Sequence, residues 1–278
     1  SEHRTEPVCE HFGVCGGCKW QHMSYEAQLL FKQKEVSENL KRIGGLELPE
    51  LNPILPVENP YWYRNKMEFS FSNQRWLTKE EVDSGAEFNR NALGFHKPGM
   101  WDKIVDVSTC HLQADPSNAI RNFIRSYAHK NKVAFFDPKN KTGFLRSLMI
   151  RTTSTEEVMI VLQVFHKEDT ILFPLLDAVA QEFPDLTSLQ YVINGKANDT
   201  LYDQEIVCYK GQDYITEVME ALQFRITAKS FYQTNSLQAY ELYKVVRELA
   251  DLQGDELVYD LYTGCLLYTS PSPRDKRQ

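Results

Sequence analysis

The sequence predicts an α+β domain built behind a cysteine loop and followed by the first strand of a Rossmann-like α/β unit. Three observations predict it. Cysteines 9, 15 and 18 cluster at metal-ligand spacing. From Tyr63 to about Lys210, alternating strand patterns are mixed with amphipathic helical ones. The run Glu256-Leu257-Val258-Tyr259-Asp260-Leu261-Tyr262-Thr263-Gly264 reads as a buried strand that ends in an acid and then reaches a glycine. The first βα turn of a Rossmann-like sheet begins this way, with ligand bound beyond the strand's carboxyl end.

The stretch Cys9-Glu10-His11-Phe12-Gly13-Val14-Cys15-Gly16-Gly17-Cys18 spaces three cysteines C-x5-C-x2-C, half of the six in the chain. Gly16 and Gly17 let the backbone curl around a bound ion or cluster and turn its N–H groups toward sulfur. Three thiolates are one short of the four that a closed zinc site or a cubane iron–sulfur cluster needs. Candidates for the fourth ligand are Cys110, Cys208, Cys265, His11 and His22. Cys110 is chosen because it follows the strand-like run 102–107 in a Ser-Thr-Cys-His turn, where a side chain can point at a partner loop. Cys208, within Ile206-Val207-Cys208-Tyr209, reads as a small buried hydrophobe. The expected metal ligands are therefore Cys9, Cys15, Cys18 and Cys110. Zinc sites usually bring two close pairs, whereas a tight trio reaching one distant ligand leans toward a [4Fe-4S] cluster. The x5 gap argues against the C-x3-C-x2-C cluster of radical enzymes.

At 278 residues there is room for two domains, each with its own core. A composition 42% hydrophobic and 25% charged is that of a soluble globular protein. No run approaches the ~18 apolar residues needed to span a bilayer, and Ser-Glu-His-Arg-Thr-Glu is unlike a signal peptide, so a cytoplasmic location is expected. The net charge of −7 argues against indiscriminate nucleic-acid binding. The charge is uneven, however. Positions 121–151 hold eight Lys/Arg against one acid, and positions 152–220 hold three lysines against thirteen acids. A focused basic face fits a polyanion bound in one place, and it equally fits an ordinary solvated surface.

Ser24 caps a helix expected to run to Ile43 and stop at Gly44-Gly45, with Leu29, Val36, Leu40 and Ile43 on one stripe. A Pro-rich linker follows. From Tyr63 to Asn73, Met67, Phe69 and Phe71 then alternate with polar residues, and further strands are expected around 94–96 and 104–107, in an antiparallel sheet. Asp115-Pro116 reads as an N-cap and first helical residue, opening a helix to about Lys132 with Ile120, Phe123, Ile124 and Tyr127 inward. Strands over 145–153 and 158–165 pair through Thr153-Ser154-Thr155, and a helix near 170–183 and a strand near 189–193 follow. Beyond Leu222 come a short strand, the segment Ser230-Phe231-Tyr232-Gln233-Thr234-Asn235 and a helix over about 236–252.

Taken together, these motifs resemble the RNA (uracil-5-)-methyltransferases. The four cysteines, Tyr63-Arg64-Asn65-Lys66-Met67, Ser230 to Asn235 and Asp260-Leu261-Tyr262-Thr263-Gly264 occur in the order seen in that family, over roughly 7–264. The chain looks most like its iron–sulfur-containing 23S ribosomal RNA branch. The resemblance implies an α+β central domain with an iron–sulfur loop, followed by the start of a Rossmann-like α/β SAM-dependent methyltransferase domain. It also implies that the [4Fe-4S] cluster orders the central domain and helps shape the RNA surface without electron transfer. Gln233 and Tyr262 match positions that contact S-adenosyl-L-methionine. The implied reaction methylates uridine C5 in 23S ribosomal RNA: a cysteine thiolate adds to C6, C5 takes the methyl group, and a carboxylate removes the C5 proton so that the cysteine leaves. The uridine must leave its stack to be reached. No membrane or protein partner is implied, and a monomer is expected.

The sequence departs from the family after Gly264. Cys265 to Gln278 holds two prolines where a second glycine and a helix are expected, and it reads as a non-native tail. The family's nucleophilic cysteine and base glutamate lie beyond that strand, so no catalytic residue is assigned. A small β-barrel RNA-binding domain found ahead of the cysteine loop in many relatives is not seen. The chain is thus expected to be truncated at both ends and inactive as it stands. The expected division is 1–114 (cysteine loop and antiparallel strands), 115–221 (rest of the central domain), 222–264 (start of the methyltransferase domain) and 265–278 (tail). Alternative readings are a transfer RNA uridine C5-methyltransferase and a non-catalytic iron–sulfur or zinc RNA-binding module.

Overall fold

The computed structural model describes residues 2–259 and 261. Ser24 caps α1 (Tyr25–Glu38), its Oγ accepting from the Ala27 N–H at 3.3 Å. The helix passes into a π-helical turn over Asn39–Ile43 and ends at Gly44, after which Gly45 takes φ +63°. Its expected apolar stripe is not buried. Ala27 is the one buried residue of α1, while Val36 is 53% exposed and Ile43 84%. What lies along the helix is the Pro-rich linker, held by polar contacts: Gln33 Nε2 donates to the Asn52 carbonyl, and the Val57 N–H to Tyr25 Oη.

Strand β1 (Lys66–Ser72) buries Met67, Phe69 and Phe71, as its alternation predicts. A short helix α2 (Lys79–Asp83) follows, closed by a capping box between Thr78 and Glu81. Next come β2 (Ala92–Lys97), β3 (Met100–Asp106) and α3 (Ser117–Lys130). Asp115 does not cap α3; Pro116 occupies that position with no side-chain bond. The chain continues through β4 (Leu145–Thr152), β5 (Val158–Val164), α4 (Asp169–Glu182), β6 (Ser188–Ile193), β7 (Ile206–Gly211), β8 (Tyr214–Met219), β9 (Leu222–Thr227) and α5 (Ser236–Ala250).

Strands β1 to β7 form one mixed sheet in the order β3-β2-β1-β4-β5-β6-β7. Every pair in it is antiparallel except β5 and β6, which run parallel because α4 makes the crossover between them. All seven residues of β5 are buried, which explains its apolar run, broken only by the buried Gln163. Ile160 and Leu162 face the main core, where Ile120 and Ile124 of α3 and Leu172 and Leu176 of α4 pack. Met159 and Val161 face the other way, onto Ile215 and Ile226 of the separate β8–β9 hairpin. Among the described residues no helix is long and apolar enough to cross a membrane.

Two further expectations change. Cys208 is exposed, because on edge strand β7 the pleat turns Val207 and Tyr209 toward the main core and Cys208 away from it. The strand expected over 256–264 is not formed at 256–259, which have no partner strand among the described residues; Leu257 is 77% exposed. Asp260 and the segment from Tyr262 to Gln278 lie outside the described residues.

The turn before β4 carries a buried carboxylate with a pH signature. Asp137 accepts from the N–H groups of Lys139 and Asn140 and from the side-chain amides of Asn140 and Asn73. These bonds, the Asn140 N–H foremost, hold its pKa down at about 2. A depressed folded-state pKa contributes stability above the unfolded value that is lost as pH falls, here between about 4 and about 2. Urea unfolding across that window should therefore show a falling midpoint for the wild type and a shallower fall for Asp137→Asn.

Candidate functional site: a four-cysteine cavity and its clamp

The cysteine loop is a run of tight turns. Phe12 N–H donates to the Cys9 carbonyl at 3.0 Å, and Cys15 N–H to the His11 carbonyl at 2.9 Å. Gln21 Oε1 accepts from Cys9 N–H at 3.1 Å. The expectation that glycine lets an N–H face sulfur is met at Gly17, which donates to Cys15 Sγ at 3.4 Å. Gly16 has a different reason. A Cβ there would stand 2.8 Å from the His96 carbonyl oxygen, so only glycine lets the loop lie against β2.

Cys110, about a hundred positions further on, is brought to the same place. The bridge is His11, whose Nε2 accepts from the Ser108 N–H at 3.1 Å. Burial lowers the His11 pKa, which suits a neutral ring acting as acceptor. Asn118 of α3 then brackets Cys110, accepting from its N–H at 2.9 Å and donating to its carbonyl at 3.1 Å. Cys9, Cys15, Cys18 and Cys110 together line one cavity of about 430 Å³, whose wall also includes His11, Lys66 and Thr234.

Burial raises the thiol pKa of Cys9 and Cys110 and pushes Cys15 up to about 11. Thiols shifted this way favour the protonated form, and a bound metal would have to displace their protons. Among the described residues no three His, Cys, Asp or Glu side chains are grouped tightly enough to hold a single metal ion. Zinc bonded to sulfur at about 2.3 Å would need such a group. The four thiols instead line a shared cavity of about 430 Å³, which has room for a centre larger than one ion.

A second cluster adjoins the cavity. The two motifs at 63–67 and 230–235 meet through Asn65. Its N–H donates to the Thr234 carbonyl at 2.8 Å, and its Nδ2 donates to the Gln233 carbonyl at 2.7 Å and to Ser236 Oγ at 2.8 Å. Ser236 Oγ in turn donates to Glu217 at 2.8 Å. Glu217 is buried and also accepts from the Ser154 N–H, the Ser154 hydroxyl and the Val218 N–H. From below, Arg151 Nη2 donates to the Ser230 carbonyl at 2.5 Å. The side chain of Gln233 is exposed, and the cap of α5 is Asn235, which accepts from Gln238 N–H at 3.0 Å. Gln233 therefore has its backbone fixed and its amide unused by the cap. Its expected companion Tyr262 lies outside the described residues.

The basic stretch 121–151 is only in part a surface. Arg121, Arg146 and Arg151 are buried, and Arg125 pairs with Asp106 at 3.1 Å. Lys130, Lys132, Lys139 and Lys141 are exposed, and Lys139 pairs with Asp102. Charge counting cannot separate these groups, because each buried arginine serves backbone carbonyls that have no sequence signal. Arg146, for example, donates to the carbonyls of Asn194 and Lys196. Glu217 also escaped notice for want of any motif around it, and His11, weighed as a fourth ligand, accepts from the Ser108 N–H. Replacing Asn65 by alanine should cost about 1–3 kcal/mol of stability and speed amide hydrogen exchange across 228–236, with β4 and β5 unchanged.

No family model matches the chain. It is 54% identical over 267 residues to an uncharacterized RNA methyltransferase of Porphyromonas gingivalis, an alignment covering 94% of this chain and 57% of that protein. With one from Bacteroides thetaiotaomicron it shares 49% identity over 279 residues, covering 99% of this chain and 62% of the other. The structure is similar to that of the Pyrococcus abyssi tRNA (uracil-54, C5)-methyltransferase in complex with S-adenosyl-L-homocysteine. The TM-score is 0.64 at 28% identity, covering 90% of this chain and 52% of that one. The chain thus spans a little over half the length of the proteins it matches. Over nine-tenths or more of its own length it is thus similar, in sequence and in fold, to proteins named RNA methyltransferases.

Proposed function

We propose that the chain forms part of an RNA uridine C5-methyltransferase that uses S-adenosyl-L-methionine and acts on 23S ribosomal RNA as a cytoplasmic monomer. The observation that carries the reading is the likeness to a uracil-C5 methyltransferase fold across 90% of the chain. It is supported by the way Asn65 presents the segment at 230–235. The cofactor, when bound, supplies an electrophilic methyl group. Gln233 offers an exposed side-chain amide to it, and Tyr262 is assigned to the same wall. Cys9, Cys15, Cys18 and Cys110 hold a [4Fe-4S] cluster, a reading supported by their shared cavity and the N–H of Gly17 on Cys15 sulfur. The proposed division places residues 1–221 on the RNA side and 222–264 at the start of the methyltransferase unit. The nucleophile and base are assigned to sequence beyond Gly264.

One observation favours transfer RNA as substrate instead: the solved relative is named for uracil 54 of tRNA. Binding to labelled 23S ribosomal RNA fragments and to transfer RNA transcripts separates the two. Tighter retention of a 23S fragment supports the proposal; tighter retention of transfer RNA overturns the ribosomal assignment and keeps uridine methylation.

A further inference from the structure

One face of α3 is polar and binds the segment that delivers Cys110 to the cysteine cavity. Asn118, Arg121, Asn122 and Arg125 follow helical spacing, and all four side chains bind the segment 106–110 that delivers Cys110. Arg125 pairs with Asp106 and donates to the Val107 carbonyl at 3.0 Å. Arg121 donates through Nε to the Val107 carbonyl at 3.1 Å and through Nη2 to the Ser108 carbonyl at 2.6 Å. Asn122 donates to the same Ser108 carbonyl at 3.1 Å, and Asn118 brackets Cys110.

Arg121 differs from the other three. It has 0% exposure and lies with its guanidinium 5.0 Å from the centre of the Phe69 ring. Its Nη1 is buried with no hydrogen-bond partner among the described residues, and the neighbouring carboxylate, Asp106, is taken by Arg125. A buried cation with one unused donor pair and no carboxylate of its own is costly unless an anion faces it. Its anionic neighbours are Cys110 of the cysteine site and, acting more weakly, the carboxylates of Asp106 and Asp115, neither of which forms an ion pair with it among the described residues; Val107 and Cys110, which line the cavity, belong to the segment Arg121 holds. Burial pushes the Arg121 pKa down to about 10, with Cys110 acting in the opposite direction. Four thiolates outweigh the charge of either Zn2+ or a doubly positive iron–sulfur core, so a metal centre there is anionic whichever metal it holds.

We propose that Arg121 is the internal counter-charge of the four-cysteine centre and that its guanidinium retains metal there. The proposal rests on the reading of the cysteines as metal ligands. It is independent of which metal they hold and of any RNA substrate.

The test uses anaerobically purified chain, with metal loss to excess chelator followed by iron and zinc assay and folding checked by far-ultraviolet circular dichroism. Arg121→Gln, which removes the charge, should lose metal about tenfold faster or more, the size typical of groups that support metal ligands. Arg121→Lys, which keeps the charge and loses the fork on Val107 and Ser108, should stay within about twofold of wild type. A folded Arg121→Gln that holds metal as long as wild type overturns the proposal, as does a folded Arg121→Lys that loses metal as fast as Arg121→Gln. Should Arg121→Gln fail to fold, Arg121→Lys decides alone: wild-type retention supports the counter-charge and rapid loss refutes it. Wild-type chain without iron or zinc removes the cysteine reading itself, and the counter-charge with it, before any variant is compared.

Discussion

The hydrogen bond from the Ser108 N–H to His11 Nε2 joins two segments 97 positions apart, and the organisation of the N-terminal half depends on that closure. Bringing such distant segments together costs loop entropy, which grows only slowly with length but has to be met by contacts made at the junction. The protein meets it from both sides. The cysteine loop contributes His11 and its tight turns, and α3 contributes the polar stripe that fixes 106–110. A metal bound by Cys9, Cys15, Cys18 and Cys110 would close the same loop a second time and add its binding free energy to folding.

On the other face of the sheet, polar groups again hold together what apolar packing alone would leave loose. The β8–β9 hairpin covers Met149, Met159 and Val161 with Ile215 and Ile226. Its position is set by the buried carboxylate of Glu217, which accepts from Ser154 on the β4–β5 turn and from Ser236 at the start of α5. Asn65 ties that junction to the entry of β1. Thr234 stands at the wall of the cysteine cavity, so the cavity and the segment proposed to meet the cofactor share one wall.

The parts legible in the sequence are those governed by local periodicity. The alternation of Met67, Phe69 and Phe71 and the paired runs that became β4 and β5 were readable, because a two-residue period maps directly onto a buried face. The trio at 9, 15 and 18 lines one cavity with Cys110, because spacing within a loop is itself geometry, and its reading as a metal site stays a proposal. The stripe on α1 misled, since periodicity states which residues share a face and not whether anything covers it. Cys208 misled for a related reason: an apolar run on an edge strand still has one uncovered side. Arg121, Glu217 and the role of Asn65 could not be read at all. Each works by reaching backbone groups or hydroxyls far along the chain, and such partners exist only once the sheet has formed.

Metal content tests the central claim most directly, that four cysteines drawn from two distant segments make one centre. Iron, acid-labile sulfide and zinc should be measured on anaerobically purified wild type, Cys15→Ser and Cys110→Ser, together with the visible absorption spectrum. The account predicts about four irons per chain with broad brown absorption, lost alike when the loop cysteine or the distant one is replaced. Full iron content and an unchanged spectrum in Cys110→Ser would contradict it, and so would a wild type that carries no metal.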